Sequence, residues 1–175
     1  PGEPPFTTRP ELRGTFGMVA STHWLGTAAG MWLLEQGGNA FDAAVATALT
    51  LQVVEPSMAG PAGDAPIILY DSKADAVRVI CGQGVAPQQA NITAFRELGL
   101  DIVPGAGLLP LVVPGAFDAL MLLLRDWGTM RPRDVLAPAI GHARNGYPIA
   151  ARVVATSRHC ATFSCNTGRV PQMYI

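Results

Sequence analysis

Lysine is almost missing from this chain. Lys73 is the single one in 175 residues, the eleven arginines are scattered, and the net charge is −1. No stretch forms the basic patch that nucleic acid or an anionic membrane surface requires, so neither is expected as a partner. Long apolar runs are missing too: stretches such as Ala119–Leu124 are far too short to span a bilayer. The opening PGEPPFTTRPELRG has no apolar signal core, which reads as a leader that is absent or already removed. The three cysteines, Cys81, Cys160 and Cys165, are an odd number and give no disulfide framework. They fit thiols in a reducing compartment, which favours the cytoplasm and leaves periplasm or export open. His23, His142 and His159 share no metal spacing, and His159-Cys160 with Cys165 falls short of a zinc ligand set. No G-x-S-x-G occurs, and neither GQGVAP nor GAGLLP completes a dinucleotide or phosphate fingerprint. No metal and no cofactor is expected, and there are no internal repeats.

What the chain has in quantity is apolar material, 49% of its residues, enough for one sizeable core. Its organising stretch runs from Gly37 to Pro66, GGNAFDAAVATALTLQVVEPSMAGPAGDAP. Gly37-Gly38 can end one helix in the left-handed conformation, and Asn39 can cap the next, with Asp42 near its positive end. From Ala40 to Val54 only Asp42, Thr47, Thr50 and Gln52 are polar, which predicts a buried helix. Ala43, Ala44, Ala46 and Ala48 would let neighbouring backbones approach it. Glu55-Pro56 stops the helix, since the residue before proline leaves the α region. Glu55 and Asp42 read as a helix end and a cap. A loop holding Gly60, Pro61 and Gly63 then leads to a strand, a plausible floor for an active site. Asp64 in it either faces a site or ends a turn, and the turn is favoured.

Around this helix the pattern predicts a proline-rich arm, a short strand at Phe16–Ala20, and a helix from a Ser21 or Thr22 cap to about Gln36. That helix would place Trp24, Leu25, Ala28, Ala29, Trp32 and Leu33 on one broad face. Pro66–Tyr70 and Ala76–Cys81 suggest a β-hairpin, although the spacing alone also allows strands that pair elsewhere. Asn91 can cap a short helix to Leu98. Gly115–Trp127 reads as a helix with Leu120, Leu123, Leu124 and Trp127 inward. Pro132 suits the first turn of a last helix, which Pro138 should kink or divide before it ends at Asn145. From about residue 152 the sequence loses all periodicity.

Four blocks in one order carry a resemblance: GMVAST at Gly17–Thr22, GGNAFDAAVATAL with VVEP, VPGAFDAL at Val113–Leu120, and RPRDVLAPAIGHARNGYPI at Arg131–Ile149. Together they resemble the start of the large subunit of the γ-glutamyltranspeptidase family, N-terminal-nucleophile (Ntn) hydrolases cut from one proenzyme. The resemblance implies an α+β fold, part of an αββα sandwich completed by a small subunit. It divides the chain into an extended arm at 1–13, a family-like region at 14–150, and an unassigned tail at 151–175. It implies hydrolysis or transfer of a γ-glutamyl or other acyl group, glutathione-hydrolase-like, by an N-terminal threonine whose own amine is the base. Pro1 has no hydroxyl and no segment resembles the family's cleavage site, so the nucleophile is expected on the partner chain and no catalytic residue on this one.

The large subunit's own contribution in that family is an arginine that holds the substrate α-carboxylate, in a motif Gly-Arg-Glu-x-Ala-Pro. The matching run here is Gly82-Gln83-Gly84-Val85-Ala86-Pro87. Arginine offers a charged fork and glutamine one neutral amide. Gln83 is thus the candidate substrate-binding residue, or else it satisfies a turn. A non-glutamyl acylase like the cephalosporin acylases, and a non-catalytic fragment, are the alternative readings. A small enzyme using the Pro1 amine as base has no other support in the chain.

Overall fold

The structure is a computed structural model, and it describes residues 11–56, 58–105, 108–149, 151 and 154–155. Most of the expected N-terminal arm and of the unassigned tail lies outside the described residues, as do His159, Cys160 and Cys165. Helix and sheet are mixed. In chain order come α1 (Trp24–Glu35), α2 (Ala40–Val54), β1 (Ala65–Asp71), β2 (Ala76–Gly82), α3 (Ile92–Glu97), α4 (Ala116–Trp127) and α5 (Pro132–Asn145).

The entry to α1 differs from expectation. Phe16–Ala20 forms no strand, because an extended segment becomes one only when another strand takes its backbone groups, and none among the described residues does. The cap is His23, whose Nδ1 accepts from the Leu25 amide at 3.2 Å. Ser21 is spent on the His23 carbonyl, to which its hydroxyl donates at 2.8 Å, and Thr22 donates instead to the Glu55 carboxylate. The apolar face of α1 is also narrower than expected. Leu25, Ala29 and Leu33 are buried, while Trp24, Ala28 and Trp32, each one residue and about 100° round the helix, stay exposed.

Gly37, at φ +88°, closes α1, and the Asn39–Asp42 capping box opens α2. Val45, Ala46 and Thr50 are fully buried, as a buried helix requires, while Ala40 and Ala44 face out. The α1–α2 contact is close because Gly26 and Gly30 carry no side chain. A Cβ at Gly30 would collide with the Thr47 hydroxyl, and one at Gly26 would meet Leu51.

β1 and β2 pair as the expected hairpin, with Ala65 opposite Gly82 and Asp71 opposite Ala76. The Asp71 carboxylate holds the turn by accepting from the amides of Lys73 (3.0 Å) and Ala74 (3.2 Å). The two faces differ. Ile67, Leu69 and Ile80 point to the core, whereas Ile68, Tyr70, Val77 and Val79 point outward and are exposed. Helix α4 covers the inner face with Leu120, Leu123 and Leu124. Helix α2 lies behind it, sandwiched by α1 and α5, and Val45, Ala46, Leu49, Val135 and Ala139 join the same cluster. Each fully buried Leu or Val contributes about 1.5–3 kcal/mol.

Pro138 does not divide α5, which runs on as one helix. Its ring forfeits one backbone hydrogen bond, and the flanking Val135 and Ala139 are packed against the core. No helix among the described residues is long and apolar enough to cross a membrane.

Candidate functional site

Three backbone segments converge at the end of β2 that leaves the hairpin. The first is the turn Gly82–Val85, which carries Gln83. The second is Val113–Ala116, leading into α4; Val113 donates its amide to the Val85 carbonyl at 2.9 Å. The third is the loop after α2, where the Gly63 carbonyl accepts from the amides of Gly115 (3.3 Å) and Ala116 (3.1 Å). The Gly63 carbonyl thereby satisfies two amides at the start of a helix, which otherwise lack intrahelical partners.

The glycines here are a packing requirement. A Cβ at Gly82 would strike the Ala65 carbonyl and the Ala119 side chain, and one at Gly84 would run into the Val113 carbonyl. A Cβ at Gly115 would lie 2.6 Å from the Gly82 carbonyl oxygen. The side chain of Gln83, between two such positions, is exposed. Its amide oxygen faces the Cys81 thiol at 3.9 Å, a weak contact. Gln83 thus offers a neutral amide on a rigid turn. It can hydrogen-bond a carbonyl or carboxylate but cannot neutralise one.

An open groove of about 530 Å³ runs beside this turn between β2 and α4, lined by Ile80, Cys81, Gly115, Asp118, Ala119 and Arg125. Gln83 is not in its wall. Arg125, at the groove's wall, is exposed and pairs with the neighbouring Asp126 at 2.6 Å. Asp64 is exposed, directly after the turn closed by the Gly63 amide on the Gly60 carbonyl at 3.1 Å.

Other polar residues take structural places. Asp42 is fully buried and accepts from the Asn39 amide at 2.8 Å. It also accepts from the Thr129 amide (3.0 Å), the Thr129 hydroxyl (2.7 Å) and the Met130 amide (3.2 Å). Burial pushes its pKa up, but these hydrogen bonds outweigh that and hold it below the ordinary 3.8. It is more than the cap expected from sequence, since it also pins the α4–α5 connection. Glu55 is 1% exposed, and Thr22 donates a hydroxyl to it. Spacing gave no sign of that pairing; the only local cue is a carboxylate placed at a helix end before proline. His142 lines a second groove, between α1 and α5. No group of three His, Cys, Asp or Glu among the described residues could hold a metal ion.

This geometry has relatives. The family model described as Gamma-glutamyltranspeptidase matches residues 26–174. The glutathione hydrolase-like YwrD proenzyme of Bacillus subtilis is 39% identical over 139 residues, covering 79% of this chain and 26% of that protein. The acylase ACY 1 proenzyme of Pseudomonas sp. (strain SE83) is 34% identical over 146 residues, covering 78% and 26%. Among solved structures, that titled LmbA2991T421A superposes with a TM-score of 0.80 at 57% identity, over 84% of this chain and 25% of that one. The γ-glutamyltranspeptidase of Helicobacter pylori does so with 0.77 at 29% identity, over 86% and 44%. The chain therefore spans about a quarter of the length of the curated relatives it matches. With the family model matching residues 26–174 and a relative 39% identical over 79% of this sequence, the chain belongs to the γ-glutamyltranspeptidase family.

Proposed function

We propose that this chain is a large-subunit portion of a γ-glutamyltranspeptidase-like amidohydrolase or acyltransferase, and that residues 14–150 are the family-like region. It works with a small subunit cut from the same precursor, whose new N-terminal threonine is the nucleophile. The threonine hydroxyl attacks the acyl carbonyl of a glutathione-like or other acyl amide, its α-amino group takes the proton, and the amine leaves carrying it. Water or a second amine then releases the acyl group. This chain supplies one side of the acyl pocket, with Gln83 as its contact to substrate. The carrying observation is the hairpin. Its outer face bears Ile68 at 76% and Val79 at 71% exposure, and the Gln83 turn stands at its end. A second sheet laid on that face would complete an αββα sandwich and put the partner's threonine near the turn.

A second reading, an acylase for uncharged acyl groups, is favoured by Gln83 itself, since an amide cannot replace the counter-charge of the family arginine. Intact mass and N-terminal sequencing of the full-length protein, with turnover of a γ-glutamyl anilide and a simple acyl anilide, test both. A companion chain starting with threonine and turnover of either substrate is the expected result. An uncut, inactive product would leave the non-catalytic reading standing instead.

A further inference from the structure

Glu55 is the largest buried acidic side chain of the described core; it ends α2 as its sequence suggests, through its amide on the Leu51 carbonyl at 2.8 Å, but neither that role nor the acyl pocket uses its carboxylate. Its carboxylate accepts the Thr22 hydroxyl, tying the end of α2 to the GMVAST segment ahead of α1. Its carbonyl accepts from the amides of Met58 (2.9 Å) and Ala59 (3.0 Å), so the residue fixes the start of the loop after α2. The far end of that loop is Gly63, whose carbonyl takes the amides of Gly115 and Ala116. Gly115 in turn packs on Gly82 and Gly84, with no room for a Cβ between them. Every step from Glu55 to the Gln83 turn is thus a hydrogen bond, a short loop or a van der Waals stop.

We propose that Glu55 and Thr22 form a latch that positions the Gln83 turn, acting through the loop at residues 58–63 and the first turn of α4. The role rests on the proposed function above, because it makes Glu55 a positioning residue for acyl binding. Glu55 touches no substrate. Its effect is on where Gln83 stands, so it should appear in KM and leave kcat, set by the partner's threonine, nearly unchanged.

The test uses the full two-chain protein. Thr22→Val keeps the side-chain shape and removes the donated hydroxyl; Thr22→Ser keeps a hydroxyl donor. In Thr22→Val, KM for an acyl anilide should rise about tenfold with kcat within about twofold, the scale expected when a binding group is displaced by less than an ångström. Amide hydrogen exchange at Gly115 and Ala116 should quicken in the same variant, and Thr22→Ser should leave both readouts at the parental level. A lower Tm with parental KM and parental exchange at these amides would overturn the latch. Absence of any turnover by the parent would sink the functional reading instead, and the exchange measurement would still decide whether the latch exists.

Discussion

The carboxylate of Asp42 accepts the hydroxyl of Thr129 at 2.7 Å, although 87 residues of chain separate them. With the amides of Asn39, Thr129 and Met130 on the same two oxygens, one side chain joins the start of α2 to the α4–α5 connection. Asp42→Ala leaves these donors buried and unmet and should destabilise the protein by about 3 kcal/mol. The pH dependence follows from the sign of the shift. A folded pKa below the unfolded value contributes stability above the unfolded value, and that stability is lost as pH falls through the folded one. Stability should therefore be level near neutrality and fall below about pH 4, with a shallower acid fall in Asp42→Asn, read from denaturant melts across pH.

The two sides of α2 should respond differently to added volume. Ala46 is fully buried among Leu33, Val45 and Leu49, whereas Ala44 faces out. Ala46→Leu should cost about 1–3 kcal/mol by overpacking, and Ala44→Leu should stay within about 0.5 kcal/mol of parent. Equal melting temperatures for the two variants would contradict the placement of this helix.

Produced without its partner, the chain should bind a hydrophobic dye and self-associate. The outer face of the hairpin and both of its strand edges are open among the described residues. Replacing Ile68 and Val79 together by threonine should reduce dye binding while leaving helix content by circular dichroism unchanged. A monodisperse, dye-silent parent would argue that the face is not a partner surface.

Gln83→Arg should raise kcat/KM on a γ-glutamyl anilide relative to an uncharged acyl anilide, because it places a charged fork on the turn. The ratio between the two substrates is the quantity to measure. If it does not move, or if the parent already strongly prefers the γ-glutamyl compound, Gln83 is a turn residue and the carboxylate anchor comes from the partner chain.

Much of this architecture is legible in the sequence because glycine, proline and asparagine punctuate it. Gly37, Asn39, Pro56, Asn91, Gly99, Gly128 and Gly146 all bound or cap the helices as their backbone chemistry dictates. What stayed hidden depended on contacts far away in sequence. Thr22 looks like a helix cap until Glu55, 33 residues on, takes its hydroxyl. Phe16–Ala20 has strand-like composition, but no described strand lies beside it. His23 caps through an imidazole nitrogen, a donor-acceptor choice that cap preferences do not anticipate. Ala44 and Ala46 are the same residue on the same helix, and composition cannot say which faces out. Gln83 was legible only as a departure from a motif. The glycine packing around it depends on Val113 and Gly115, about 30 residues further along the chain.

That packing decides which position of the turn could accept a charged side chain. Positions 83 and 84 are neighbours in this turn, and they are not equally open to substitution. Position 83 faces solvent, so a single substitution can change it without disturbing its neighbours. Position 84 is closed: the Val113 carbonyl occupies the space that a glutamate side chain would need. Any side chain there requires the backbone ahead of α4 to withdraw. The turn therefore admits a new side chain at one position and is barred at the next by the backbone packed against it.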